Sequence, residues 1–576
     1  MINDSVLLEL NRALARRTID KGLALLRSQL NAEPTLDQSQ RNVAPFVGQL
    51  ARWADIDFAL LDVVDNLLST SFPSASRATL TYQDAINLRL AEGVLEMHRG
   101  GTMRAIAHLG FALSGAVDVG DSDLAISVNY YLGRCNRMLG RYDVALEHTR
   151  AAKEFANQLP EHENQVAVIE ILEAWLYFQQ GKPGRALELL DSAELRLEGT
   201  DDFISKGNIF SFRARIARHR GRDATKHFDN AIAQYEKRKH QATSPNLGRA
   251  LANRALVNVA RLSSVEKRLT AAKREEETLH KRQGTYEHVD KHLIQIRAKF
   301  TDSKSRTLID EIDRMLWQLH DADVCAESRA NQFLGTASAE IEELRKNALI
   351  DLDRAKKVYE HLRHNRGLGM CHLRYAYLYL ETCRLDLAEQ EAEHAHALGQ
   401  GIGDPLLCGR ARVLQCQILD RKVAVNGEIR NDRQARTLFN YAKEALEWAR
   451  NTQNLGLRAS AYITMGFAYL NPPFHDPEIT NKFSKRAAET IKMGHLFHLG
   501  ENLQALRIRL AKAGRADSPL EEWLLNPQGK SLEELVDIIY RVSFEHEGGR
   551  TTRVAKSLDV RHDTLLRRLR RLALHA

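Results

Sequence analysis

Residues Met138–Lys153 read M-L-G-R-Y-D-V-A-L-E-H-T-R-A-A-K, and the glycine in this stretch is one of a series. Gly100, Gly140, Gly181 and Gly221 stand 40, 41 and 40 residues apart. An alanine follows each by twelve positions (Ala112, Ala152, Ala193, Ala233), and Ala105, Ala145 and Ala186 follow the first three by five. A small residue precedes each by seven: Gly93, Gly133, Ala174 and Ala214. Self-similarity at a fixed period marks a repeat architecture. Glycine accepts the left-handed geometry that ends a helix, and small residues let two antiparallel helices approach closely. Stacked hairpins of this kind predict a curved α-solenoid with a concave inner face.

The quoted stretch is similar to the turn and second helix of a tetratricopeptide repeat, with a period longer than the usual ~34 residues. The fold class expected is therefore all-α: a TPR-like α-solenoid with a long helical hairpin insertion and a C-terminal helix-turn-helix. Residues 1–80 read as an N-terminal helical region, with Leu7, Leu10 and Leu14, then Phe58, Leu61, Val64 and Leu68, as apolar stripes. Residues 81–262 carry the explicit repeats, and a fifth first-helix is expected at 246–262. Across 263–344 the period changes to seven, through Ala272, Leu279, Tyr286, Leu293 and Phe300, then Ile312, Leu319, Ala326 and Phe333. Heptads favour a long antiparallel hairpin with arms of ~55 Å, the alternative being two degenerate repeats. Residues 345–517 resume the repeats, with Ala355, Ala376, Ala388 and Ala395, then Phe439, Ala442 and Ala445, as markers. N-P-Q-G at 526–529 links into the last region, 518–576, where S-P-L-E and S-L-E-E read as capping boxes.

Thr551–Leu572 reads T-T-R-V-A-K-S-L-D-V-R-H-D-T-L-L-R-R-L-R-R-L. Val554, Ala555 and Leu558 share one helical face, and Leu565, Leu566, Leu569 and Leu572 share another. Two such segments across a short break form a helix-turn-helix, whose second helix fits the DNA major groove. Residues 550–576 hold eight Arg or Lys against Asp559 and Asp563, a local net of +6 out of the chain's +7. A polyanion partner fits this end better than the body. A solvated basic tail or a solenoid cap is the plainer alternative.

This stretch resembles the Fis-type helix-turn-helix at the C-terminus of bacterial enhancer-binding regulators. Val554-Ala555, Leu558, Asp559, Val560, Thr564-Leu565 and Arg568-Leu569 hold the pattern, with Asp559 where the family usually has glycine. The resemblance implies double-stranded DNA as partner and a homodimer paired through the preceding helix, with Leu532, Leu535, Val536, Ile539 and Val542. In that geometry Arg561, His562, Asp563 and Arg567 face base edges, and Thr564, Arg568, Arg570 and Arg571 face phosphates. The chain has no G-x-x-x-x-G-K-[ST] loop, so the family's ATP-driven activation is not carried over.

At 576 residues, 44% hydrophobic and 27% charged, the composition suits a folded protein. The N-terminus lacks the pattern of a signal peptide and no stretch of about 18 apolar residues exists, so a cytoplasmic chain without a membrane span is expected. Six cysteines without a C-x-x-C pair argue against zinc. His394 and His396, two apart, point to different helix faces and make poor joint ligands. No nucleophile elbow or metal motif is found among the chain's 22 histidines and its serines, so neither enzyme chemistry nor a cofactor is expected. Tyr130, Tyr131, Arg134, Trp175, Arg213, Tyr375 and Tyr379, on first helices, are the candidates to line a groove for a protein or peptide. The function expected is a DNA-binding transcription regulator whose solenoid senses a protein, peptide or small-molecule signal; the alternative is an interaction scaffold without DNA binding.

Overall fold

Each glycine of the series turns the chain from one helix into the next. The computed structural model describes residues 2–32, 42–73, 77, 80–237, 244–299, 303–426, 432–513, 537, 540–541, 543–544, 550–557 and 561–572, and no strand occurs among them. Four N-terminal helices come first: α1 (Asp4–Ala15), α2 (Ile19–Ala32), α3 (Val43–Trp53) and α4 (Leu60–Thr70). Hairpins follow, pairing α5 (Tyr82–Arg99) with α6 (Thr102–Asp118), α7 (Ser122–Met138) with α8 (Tyr142–Asn157), α9 (Glu163–Gln179) with α10 (Pro183–Arg196), and α11 (Phe203–His219) with α12 (Thr225–Glu236). Gly100, Gly140, Gly181 and Gly221 lie between the paired helices at φ of 95°, 74°, 78° and 70°.

The small residues mark close helix approach. A Cβ on Gly93 would lie 2.6 Å from Leu109, and one on Gly133 would lie 2.8 Å from Thr149 Oγ1. Ala112, Ala152 and Ala193 are fully buried. Ala233 is exposed, which corrects the expected pattern. Helix α12 starts four residues after its glycine rather than two, so the buried places that Ala105 and Ala112 hold in α6 fall in α12 on Phe228 and Tyr235.

Two continuous helices, not two degenerate repeats, form the middle of the chain: α13 (Pro245–Lys299) and α14 (Ser303–His361). The first-helix expected at 246–262 does not stop there but runs on into the hairpin arm. With 55 and 59 residues, the arms reach ~80–90 Å, longer than expected. Leu262, Val265 and Leu269 pack against Phe333, Ala337, Ile341 and Leu344 along the seam. The heptad side chains of Leu279, Tyr286, Leu293, Phe300, Ile312, Leu319 and Ala326 lie outside the described residues.

The solenoid continues through α15 (Asn365–Glu381), α16 (Leu385–Gly401), α17 (Pro405–Asn426), α18 (Asp432–Arg450), α19 (Leu455–Ala468), α20 (Pro477–Gly494) and α21 (Gly500–Ala513). Here Arg363, Cys383 and His495 take the left-handed turn positions at φ of 48°, 54° and 50°. The chain ends in α22 (Thr551–Ser557) and α23 (His562–Arg571). The capping boxes at 518–521 and 531–534, the stripe Leu532, Leu535, Val536, Ile539 and Val542, and Leu558, Asp559 and Val560 lie outside the described residues. No described helix is long and apolar enough to cross a membrane.

The superhelix closes on itself. Gly140 O accepts a hydrogen bond from Gln453 N at 2.8 Å, and Asn454 Nδ2 donates to Tyr142 Oη at 2.8 Å and Gln179 Oε1 at 2.7 Å. Gly100 faces Ile402, and Gly181 faces Met493 O. The N-terminal helices close the same wall: Ile19 N and Asp20 N donate to Asp201 at 2.7 Å each, and Arg17 pairs with Asp202 at 2.7 Å.

Candidate functional site

First helices of the hairpins, α7, α9, α11 and α13, present one face to the interior, and Leu14, Arg17, Arg52, Asp55 and Ile56 of the N-terminal region complete the lining. The result is a chamber of about 160 Å³ lined by residues such as Tyr130, Arg134, Trp175, Phe212, Arg215 and Arg249. Its apolar floor includes Ile169, Leu172 and Phe212, and the side-chain amides of Gln165, Asn208 and Asn246 converge on it.

The expected groove residues divide. Tyr130, Tyr131, Arg134 and Trp175 come together at the chamber. Arg134 bonds Asp55 and lies 5.6 Å from the Tyr130 ring. Burial, then the opposing pull of Arg134 and His98, acts on the Asp55 carboxyl, and the net effect holds it well below the usual range. Tyr131 is buried and donates to Arg52 O at 3.2 Å, so its hydroxyl is already engaged. Arg213, Tyr375 and Tyr379 are not at the chamber. Arg213 pairs with Asp191 and Glu194 of α10 at 2.6 and 2.7 Å. Tyr375 donates to Asp353, and Tyr379 packs beside it with ring centroids 6.1 Å apart.

The chamber wall also holds Arg137 of α7, Arg215 of α11 and Arg249 of α13, which the sequence reading did not single out. Arg218 of α11, Arg366 of α15 and Arg410 of α17 lie near enough to act on them electrostatically. Arg374 of α15 lies near Arg218 and Arg410. Burial, then the charges of Arg366, Arg134 and Arg249, push the Arg137 guanidinium down to about 9. Burial, then Arg218 and Arg410, push Arg374 down to about 9. Arg218 falls to about 10 through burial, with Tyr377 opposing and Arg410 adding. Arg215 lies well below its ordinary value, through burial and then Arg249 and Arg410. Such depression means that like charges crowd a poorly solvated space.

In the C-terminal pair, Leu565 and Leu569 are fully buried against Val554 and Ala555, with Tyr540 and Phe544 beside them. Arg561, His562, Asp563, Thr564, Arg567 and Arg570 are exposed along α23. His562 Nε2 lies 3.0 Å from Thr551 Oγ1. Arg568 and Arg571 are turned to Asp537, at 2.5 and 3.1 Å.

His394 and His396 diverge, as their spacing implies: His396 is buried, while His394 lies near His372 and Glu391, all three with ligand atoms within 4.8 Å of one another. His372 Nδ1 is 2.6 Å from the Glu391 carboxylate, which already partners it.

No protein-family model and no curated protein matches the chain. Among solved structures, it is similar to a Rap protein complexed with competence and sporulation factor, at 14% identity over 68% of this chain and 98% of that one, TM-score 0.37. It is also similar to yeast Tom70, at 11% identity over 91% and 98%, TM-score 0.35. A monomeric mutant of IFIT1 with Gppp-AAAA matches at 13% identity over 85% and 95%, TM-score 0.37. At these scores the likeness does not extend beyond helical architecture.

Proposed function

We propose that the chain acts by binding: its TPR-like solenoid receives a protein or peptide segment on the inner face of the first helices. The chamber supports this, because an apolar floor with a few polar amides and guanidiniums is the composition of a binding pocket. The test is selection from a displayed peptide library on the full chain, followed by hydrogen exchange on the selected complexes. Enriched peptides should protect α7 and α9. Failure to enrich, or protection confined to the second helices α6, α8 and α10, overturns the reading.

A second function is proposed for the terminal module: α23 contacts double-stranded DNA as part of a homodimeric regulator. The exposed row from Arg561 to Arg567 above a buried Leu565–Leu569 seam supports it. Arg561→Ala with Arg567→Ala should weaken DNA binding by the full chain at least tenfold and relax its base preference. Unchanged affinity in that variant sinks the DNA reading and leaves the solenoid reading standing.

A further inference from the structure

We propose that the chamber arginines form a site for a small phosphate-rich anion. The inference goes beyond partner binding and needs no partner. Arg137 of α7, Arg215 of α11 and Arg249 of α13 line the chamber. None of the three has a carboxylate within 4.0 Å among the described residues, whereas neighbouring Arg134 is paired with Asp55. Asp55 is the carboxylate in the chamber wall, and Arg134 already engages it. Charges of like sign then repel one another across the chamber, as the depressed value of Arg137 records.

A purely structural role accounts for the stems but not for the charges. Arg137 and Arg215 lie 4.8 and 5.9 Å from the Trp175 ring, and an aliphatic stem alone would cover that surface. The guanidinium adds a rigid fork of donors that matches phosphate oxygens two at a time. Space then selects the ligand class. A chamber of about 160 Å³ needs several negative charges on few atoms. An extended peptide supplies at most one charge per ~3.4 Å of chain. A nucleotide would need an open aromatic face for its base, and Arg137 and Arg215 already lie over Trp175, as Arg134 does over Tyr130.

The experiment is titration calorimetry and thermal unfolding of the full chain with inorganic tripolyphosphate, against sodium chloride and hexaglutamate at matched ionic strength. One tripolyphosphate should bind per chain and raise the unfolding midpoint more than either control. The Arg137→Met, Arg215→Met variant keeps the stems and removes two charges. Its ligand-free midpoint should equal or exceed the parent's, while tripolyphosphate affinity falls at least tenfold. Should that variant fold poorly, Arg215→Lys, which keeps the charge but loses the fork, should also lose affinity. The Arg561→Ala, Arg567→Ala variant should retain full affinity, which separates the chamber from the basic terminus. A midpoint that follows ionic strength whatever the anion overturns the proposal. So does tighter binding of hexaglutamate, or loss of affinity only in the terminal variant.

Discussion

His364 Nδ1 accepts a hydrogen bond from Gly367 N at 2.8 Å, capping α15 with the lone pair that a proton would occupy. Burial, then the charges of His98 and Arg366, push its pKa down to about 3. In the unfolded chain a histidine titrates near 6.5. Above that pH neither state binds the proton, so the full stability is present. As pH falls below 6.5 the unfolded chain takes up a proton that the folded chain refuses. Stability is then lost by about 1.4 kcal/mol per pH unit, until the folded group titrates near 3. His364→Asn keeps a capping side chain without a titrating one. The unfolding midpoint of that variant should fall less between pH 6.5 and 4 than the parent's; equal slopes would show that His364 is not the group responsible. At this same scale the sequence reading succeeded for Leu565 and Leu569, whose buried seam follows from spacing alone, and missed Arg215 and Arg218. Arg213 and Arg215 are two residues apart, so they point to different faces of α11. That helix is buried on several sides, including Ile204, Ile209, Phe212 and Ile216, so no apolar stripe told which arginine faced inward.

Among the elements, the left-handed turns carry two separate demands that can be weighed against each other. Gly120 and Gly140 have φ of 71° and 74°, but a Cβ on Gly120 meets nothing within 4 Å while one on Gly140 would lie 2.6 Å from Thr452. Gly120→Ala should therefore cost only the backbone strain, about 1–2 kcal/mol. Gly140→Ala should cost more, because Thr452 sits in the opposite wall of the superhelix and must move. Chemical denaturation of the two variants measures the difference, and equal losses would mean that the close approach contributes nothing. These turns also explain where repeat recognition faded. Arg363 and Cys383 hold left-handed positions in the second half of the chain, so the backbone geometry persists where the glycine that advertises it does not. The long hairpin was legible for a different reason: a seven-residue period sustained over many turns has few readings other than paired helices.

For the whole molecule, closure rests on a few polar contacts between residues some 275–312 positions apart in the chain. Asn454→Ala removes both donations of its amide, to Tyr142 Oη and Gln179 Oε1, and leaves buried acceptors behind. A loss of about 1–3 kcal/mol is expected, together with faster amide exchange around Gly140–Asp143 and a larger radius of gyration by small-angle scattering. An unchanged radius and unchanged exchange would show that the ring stays shut without these bonds.

The sequence by itself determined the all-helical solenoid, its hairpin insertion and its apolar seams, because left-handed turns, helix packing and heptads are local or nearest-neighbour requirements written at fixed spacing. It also marked Tyr130, Arg134 and Trp175 as first-helix residues. Only the tertiary structure decided that the superhelix closes, and that Arg137, Arg215 and Arg249 line one chamber. The physical reason is range. A repeat constrains each hairpin against its neighbour, while the sum of many small rotations fixes which distant helices face each other.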